Sequence, residues 1–265
     1  MPHDRQAGAL MAAEIAEQPA VLARLLDAAD EIEDVARRVR RASPRFVLIA
    51  ARGTSDHAAL YAKYLTEIRL GLPAGLVSPS SLTVYSARPD LTDVLFVAVS
   101  QSGGSPDLVD STALARELGA LTVAVTNAPD SPLAAAAQLH VDVQAGPELA
   151  VAATKTYTAQ LLALYLLLAG ERPAARAAAL PEAAARTLAM NGPDGSDGPD
   201  GPAAAAAELR EATRLVVTAR GYSYPSAREA ALKLMETSYL SAQAFSGADL
   251  LHGPLAMIDG AVPVI

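Results

Sequence analysis

The stretch VLFVAVSQSGGSPDLV, Val94 to Val109, decides the fold. Its first six residues are apolar without alternation, which is how a strand buried on both faces reads. The chain then turns abruptly polar. Ser100, Gln101, Ser102 and Ser105 crowd around Gly103 and Gly104 before SPDLVDSTALARELG resumes with helical spacing. The two glycines let the backbone approach a ligand closely, and Ser105 stands as the N-cap of a helix whose first turn holds Pro106. Hydroxyls and backbone N–H groups gathered at a strand-to-helix turn form a place for an anion such as a phosphate. A helix cap alone is the competing explanation for such a turn.

Working outward, the same alternation of strand and helix repeats. FVLIA (46–50) leads through ARGTS into DHAALYAKYLTEIRL, and AGLVS (74–78), LTVAVTN (121–127) and LHVDVQA supply further strands. A long apolar helix, VAATKTYTAQLLALYLLLAG, closes the series. Continuous apolar strands separated by helices predict a three-layer α/β/α, doubly wound, parallel five-stranded sheet. In that order the ligand crevice lies at the carboxyl ends of the first and third strands. Those strands end in ARGTS and SQSGGSPD, so a second polar turn, Gly53, Thr54 and Ser55, converges on the first. Neither turn contains lysine, and no GxGxxG follows the first strand, which excludes the P-loop and dinucleotide fingerprints.

Residues 1–43 read as an N-terminal helical segment, 44–172 as the first domain and 173–208 as a linker. The Gly/Pro/Asp-rich stretch Asn191 to Glu208 holds no core-forming residues. Beyond it, LVVTARGYSYPSAREAALKLME repeats FVLIAARGTSDHAALYAKYLTE: a strand, an Ala-Arg-Gly-x-Ser turn, then a helix. Residues 209–265 are therefore a second copy of the same domain type. That copy is expected to be incomplete, with the sequence stopping at its second strand.

On the repeat helix Glu229, Lys233 and Glu236 fall at i, i+4 and i+7 and share one face, as a solvated salt-bridge ladder also would. His252 precedes Gly-Pro on a turn, where an imidazole can reach a substrate and exchange protons near neutral pH. His57 and His140 read as structural. Thr154 and Lys155, at the start of the long helix, are candidates for ligand or partner contact, or for capping and helix-surface roles.

Composition narrows the classes. A chain of 265 residues with 51% hydrophobic content can build a substantial core, and 21 basic against 29 acidic residues give a net charge of −8. No basic stripe offers itself to nucleic acid. The absence of cysteine excludes disulfides, thiolate metal sites and cysteine nucleophiles. No ligand cluster for a metal is visible and no cofactor is expected. With no apolar h-region at the start and no apolar run near ~20 residues, a cytoplasmic protein without membrane contact is expected.

Four ordered segments, ARGTSDHA, SQSGGSPD, AGPELAVAATKTYTAQ and REAALKLMETSYLSAQAFSGADLLHGPLAMID, resemble the tandem sugar-isomerase (SIS) domains of glucosamine-6-phosphate synthase. They are more similar still to the SIS-type glucosamine-6-phosphate deaminases. The resemblance implies conversion of glucosamine-6-phosphate to fructose-6-phosphate and ammonia. In that reading Ser100, Gln101, Ser102 and Ser105 bind phosphate, while Gly53, Thr54, Ser55 and Val151 line the sugar. Glu236 is the base, flanked by Glu229 and Lys233, and His252 opens the ring from a neighbouring subunit, which implies a homodimer. The synthase carries an acid at the position of Gly104 and a cysteine at that of Arg52. It also needs a cysteine to release ammonia from glutamine, so glutamine is not expected as this chain's direct nitrogen donor. Two alternatives stay open: an isomerase/aminotransferase subunit that forms glucosamine-6-phosphate, and a non-catalytic phosphosugar-binding regulatory module.

Overall fold

The structure, a computed structural model, describes residues 8–170, 172–190, 202–260 and 262–265. Two helices, α1 (Ala9–Asp27) and α2 (Ala29–Ala42), precede the first sheet. The chain then runs β1 (Phe46–Ala50), α3 (Thr54–Leu65), β2 (Ala74–Leu76), α4 (Pro79–Thr83), β3 (Val94–Ser100) and α5 (Pro106–Glu117). It continues through β4 (Leu121–Thr126), α6 (Pro132–Ala136), β5 (Leu139–Asp142) and α7 (Lys155–Leu168).

All five strands are parallel, in the order β2-β1-β3-β4-β5. From β1 the chain winds to β2 on one side and then crosses to β3 on the other, so the reversal falls between β1 and β3, as expected. Parallel strands need both faces covered. One face packs Ala50, Phe96, Ala98 and Ala124 against Leu108 and Ala115 of α5 and Leu133 of α6. The long helix α7 packs on α2, α3 and β4. Its LLALYLLL run is apolar around its circumference, the pattern of a buried helix, and Leu162, Leu164, Leu166 and Leu168 are all enclosed.

The chain divides into two compact units. One comprises Ala20–Glu148 and Ala153–Ala178, and contains the five-stranded sheet. The other comprises Leu149–Ala152, Ala179–Ile265 and the described part of Met1–Pro19. The expected linker is thus partly structured: it holds α8 (Pro173–Ala177), α9 (Leu180–Ala189) and α10 (Pro202–Glu208). The expected flexible stretch at 191–201 lies outside the described residues.

In the second unit β6 (Arg214–Ala219) leads into α11 (Tyr224–Ser238), β7 (Ser241–Ser246) and the short α12 (Gly247–Leu250). The strand β7 pairs in parallel with β6. Leu215 and Val217 of β6 face Ala227 and Ala231 of α11, whereas Val216 packs with Leu250 and Val262. This corrects the strand expectation for the second copy. Its second strand is SAQAFS, an alternating segment hidden within a motif-rich tract. Val264 then bridges Val216 in parallel on the remaining side of β6. The arrangement β7-β6-Val264 reproduces β2-β1-β3 of the first copy. Both copies also place a left-handed glycine in the turn after their first strand, Gly53 at φ +57° and Gly221 at φ +60°, a conformation that L side chains rarely adopt.

Candidate functional site

The first turn leaves β1 at Ala51 and opens α3. Thr54 starts the helix half-buried, but Ser55 is buried, and its Oγ accepts a hydrogen bond of 3.0 Å from Gln160 Nε2 of α7. Ser55, expected to line the sugar, is therefore enclosed between helices and anchors the turn. Gln160, itself fully buried, is a site-supporting residue that sequence reasoning missed. Its only signal was an amide side chain directly before the apolar LLALYLLL run.

The second turn is held by its own polar atoms. Gly103 N–H donates to Ser100 Oγ at 3.1 Å, and Gly104 N–H donates to Ser102 Oγ at 3.3 Å. The backbone of Gln101 accepts from Asn127 N–H at 3.1 Å, tying the turn to the end of β4. Ser102 and Gly104 are exposed, Gln101 and Ser105 half-buried and Ser100 buried. Gly103 is indispensable on two counts: its φ is +62°, and a Cβ there would lie 2.2 Å from Ser131 Oγ.

Asp107 joins the two turns. Its Oδ1 accepts the Ser105 hydroxyl at 2.6 Å, and its Oδ2 pairs with the Arg52 guanidinium from the first turn. Ser105 occupies the N-cap position before Pro106 as expected, but no cap hydrogen bond reaches its side chain. The hydroxyl is used across to Asp107 instead. The Ser105 hydrogen bond, foremost, and the neighbouring Arg52 charge hold the Asp107 carboxyl below its ordinary range, against an opposing effect of burial.

The second unit carries the other candidates. On α11 the Lys233 ammonium lies 3.2 Å from Glu229 Oε1 and 2.6 Å from Glu236 Oε2. A solvated ladder would leave all three in water. Instead the Glu229 side chain is 8% and that of Lys233 16% exposed, with Glu236 at 31%. Glu236 lines a cavity of about 390 Å³ together with Thr237, Val151, Ala152 and the start of α1. Val151 is 96% exposed on the loop beside it. That loop is pinned by Glu14 of α1, a buried carboxylate that accepts the backbone N–H of Leu149 and, at 3.2 Å, of Ala150. Glu14 was not anticipated, because its partners stand some 135 positions away. His252 is exposed on the turn after α12, with Nδ1 2.8 Å from the Ala248 carbonyl. A carbonyl only accepts, so Nδ1 carries the proton and Nε2 is the basic nitrogen of the neutral ring.

At the start of α7, Glu148 Oε1 accepts from Thr154 N–H at 2.7 Å and Thr156 N–H at 3.5 Å, a carboxylate seated on a helix N-terminus. Lys155 is 1% exposed, which removes the helix-surface alternative for it. His140 bonds through Nε2 to Thr126 Oγ1 at 2.8 Å, and His57 is buried. Among the described residues no three His, Asp or Glu side chains stand together as a metal site, and no helix is long and apolar enough to cross a membrane.

The SIS domain family matches residues 42–170 and 208–265. The glutamine–fructose-6-phosphate aminotransferase [isomerizing] of Gloeobacter violaceus is 35% identical over 96% of this chain, and the chain spans 44% of that relative's length. The same-named protein of Methanothermobacter thermautotrophicus is 34% identical, over 96% of this chain and 42% of its own length. Among solved structures, a protein of Silicibacter pomeroyi assigned to the phosphosugar isomerases has 40% identity and a TM-score of 0.87, covering 96% of this chain and 76% of that one. The C-terminal domain of glucosamine-fructose-6-phosphate aminotransferase from Francisella tularensis has 26% identity and a TM-score of 0.79, covering 100% of this chain and 76% of that one.

Proposed function

The chain belongs to the SIS domain family, and from that premise we propose that it interconverts amino-sugar and keto-sugar phosphates, releasing ammonia from glucosamine-6-phosphate to leave fructose-6-phosphate. The observation that carries this reading is the pair of hydroxyl turns at the carboxyl ends of adjacent strands, Gly53–Ser55 after β1 and Ser100–Ser105 after β3. Between them they offer a phosphate monoester several hydroxyl and N–H donors at the switch point of the sheet.

The reaction asks for little else. With the sugar ring open, a base removes the proton on C2 while the C1 carbonyl takes up electrons. Returning that proton to C1, while a proton of the amine passes to O1, leaves an alcohol at C1 and an imine at C2. Water then adds to C2 and ammonia leaves, so glucosamine-6-phosphate and water balance fructose-6-phosphate and ammonia. Glu236 is the base in this reading: a carboxylate serves for a proton α to a carbonyl when it is held in place, and Lys233 holds it at 2.6 Å. Lys233 also compensates the buried Glu229. His252, with Nε2 as its basic nitrogen, assists ring opening by moving a proton between O5 and O1. We place these events in a homodimer in the cytoplasm.

The test is direct. The purified chain, given glucosamine-6-phosphate, should release ammonia and fructose-6-phosphate in equal amounts, and Glu236→Gln should slow this by about 10²–10⁴-fold. Turnover surviving the substitution removes Glu236 as the base. The names of the aminotransferase relatives favour a second reading, formation of glucosamine-6-phosphate from fructose-6-phosphate. The same assay run in reverse with free ammonia measures it.

A further inference from the structure

Arg52 is the one cation in the two turns, since neither 51–55 nor 100–107 holds another basic residue. It is paired with Asp107, whose second oxygen holds the hydroxyl of Ser105. Resting on the phosphosugar reading above, we propose that Arg52 recognises the charge of the phosphate, and that Asp107 keeps the guanidinium parked beside the cradle until a dianion takes its place.

Three observations support the exchange. Arg52 and Asp107 are 51% and 35% exposed, and a solvated ion pair of this kind contributes little stability, so giving it up is easy. A phosphate monoester brings nearly two charges and three acceptor oxygens, and a guanidinium matches such oxygens with two parallel hydrogen bonds. The proton that Ser105 now gives to Asp107 can rotate onto the same incoming anion, so one carboxylate holds in reserve two donors that a phosphate would draw. A plain structural staple is the competing account: Arg52 would then serve only to hold the turns together through Asp107.

Calorimetric binding of glucosamine-6-phosphate to the full chain separates the two. Arg52→Met should weaken affinity about ten- to hundredfold, the effect of losing a charge-assisted hydrogen-bond pair, and Arg52→Lys should fall between it and the unaltered chain. Asp107→Asn breaks the same ion pair but leaves the guanidinium, and should weaken affinity less than about threefold. Thermal unfolding of each variant within a few degrees of the parent accompanies this result. Arg52→Met binding within twofold of the parent overturns the inference, as does Asp107→Asn losing as much as Arg52→Met. If the unaltered chain binds neither glucosamine-6-phosphate nor fructose-6-phosphate, the phosphosugar reading itself falls and Arg52's role with it.

Discussion

Two adjacent glycines in the second turn should respond very unequally to the same substitution. In Gly103→Ala the new methyl group meets Ser131 Oγ at 2.2 Å and Ser131 Cβ at 2.5 Å, where ordinary carbon contacts lie near 3.5–4.0 Å. Rotating the serine hydroxyl away relieves the first clash but not the second, because Cβ moves only with the backbone. Turn and helix must therefore part by about 1 Å. They are bonded to each other at that spot: Gly103 O accepts Leu133 N–H at 3.1 Å, and Ser131 caps α6 by accepting Ala134 N–H at 3.3 Å. Losing the cap costs about 1 kcal/mol, a side chain at φ +62° another 1–2, and overpacking 1–3. A loss of at least about 3 kcal/mol is expected. In Gly104→Ala the nearest atom is Ser102 Oγ at 3.7 Å and φ is not positive, so the change should stay within about 0.5 kcal/mol. Urea unfolding followed by circular dichroism measures both. A loss below about 1 kcal/mol for Gly103→Ala, or equal losses for the two, refutes the account of how the turn is fixed.

Two further outcomes follow from buried charge. Lys233→Met takes the cation from the enclosed Glu229 and should lower stability by about 1–3 kcal/mol, whereas Glu229→Gln, which leaves no buried anion, should cost less; the reverse order in chemical denaturation would contradict this. Burial, foremost, depresses the His140 imidazole below its ordinary value despite the opposing pull of Asp142. Its stabilising contribution is therefore complete above pH ~6.5 and declines as pH falls from there toward the folded value, because the unfolded chain takes up the proton first. Stability measured between pH 7.5 and 5 should fall less steeply in His140→Asn than in the parent, and parallel profiles would refute the assignment.

What the sequence made legible is what depends on local pattern. Unbroken apolar runs such as VLFVAV announce strands covered on both sides, and the polar turns at their ends need no tertiary information to be seen. The switch point followed because strand order in this topology is a matter of connection rather than of particular contacts. The second copy's second strand was missed for the opposite reason: SAQAFS has few strong strand formers, and only the partner strand β6 makes it one. Long-range polar contacts were invisible as well. Neither Glu14 nor Gln160 betrays its distant partner in the sequence, yet one pins the loop bearing Val151 and the other donates to Ser55. Lys155 misled because lysine is rarely enclosed.

The duplication itself gives a physical reason to treat the α11 face as chemistry rather than packing. Aligning Gly53 with Gly221 sets Tyr61, Leu65 and Ile68 of the first copy opposite Glu229, Lys233 and Glu236 of the second. In the first copy the middle position is Leu65, 1% exposed and part of the core. In the second it is an ammonium between two carboxylates, one of them buried. In the first copy α3 thus carries Tyr61 and Leu65, neither of them charged, at the positions of Glu229 and Lys233, with Ile68 beyond the end of that helix, and burying an ion pair is no more stabilising than an apolar side chain of similar volume. Fold requirements alone therefore favour the first copy's solution in both places. The second copy carries instead an arrangement whose evident property is to hold one carboxylate, Glu236, at the wall of a cavity beside a fixed cation.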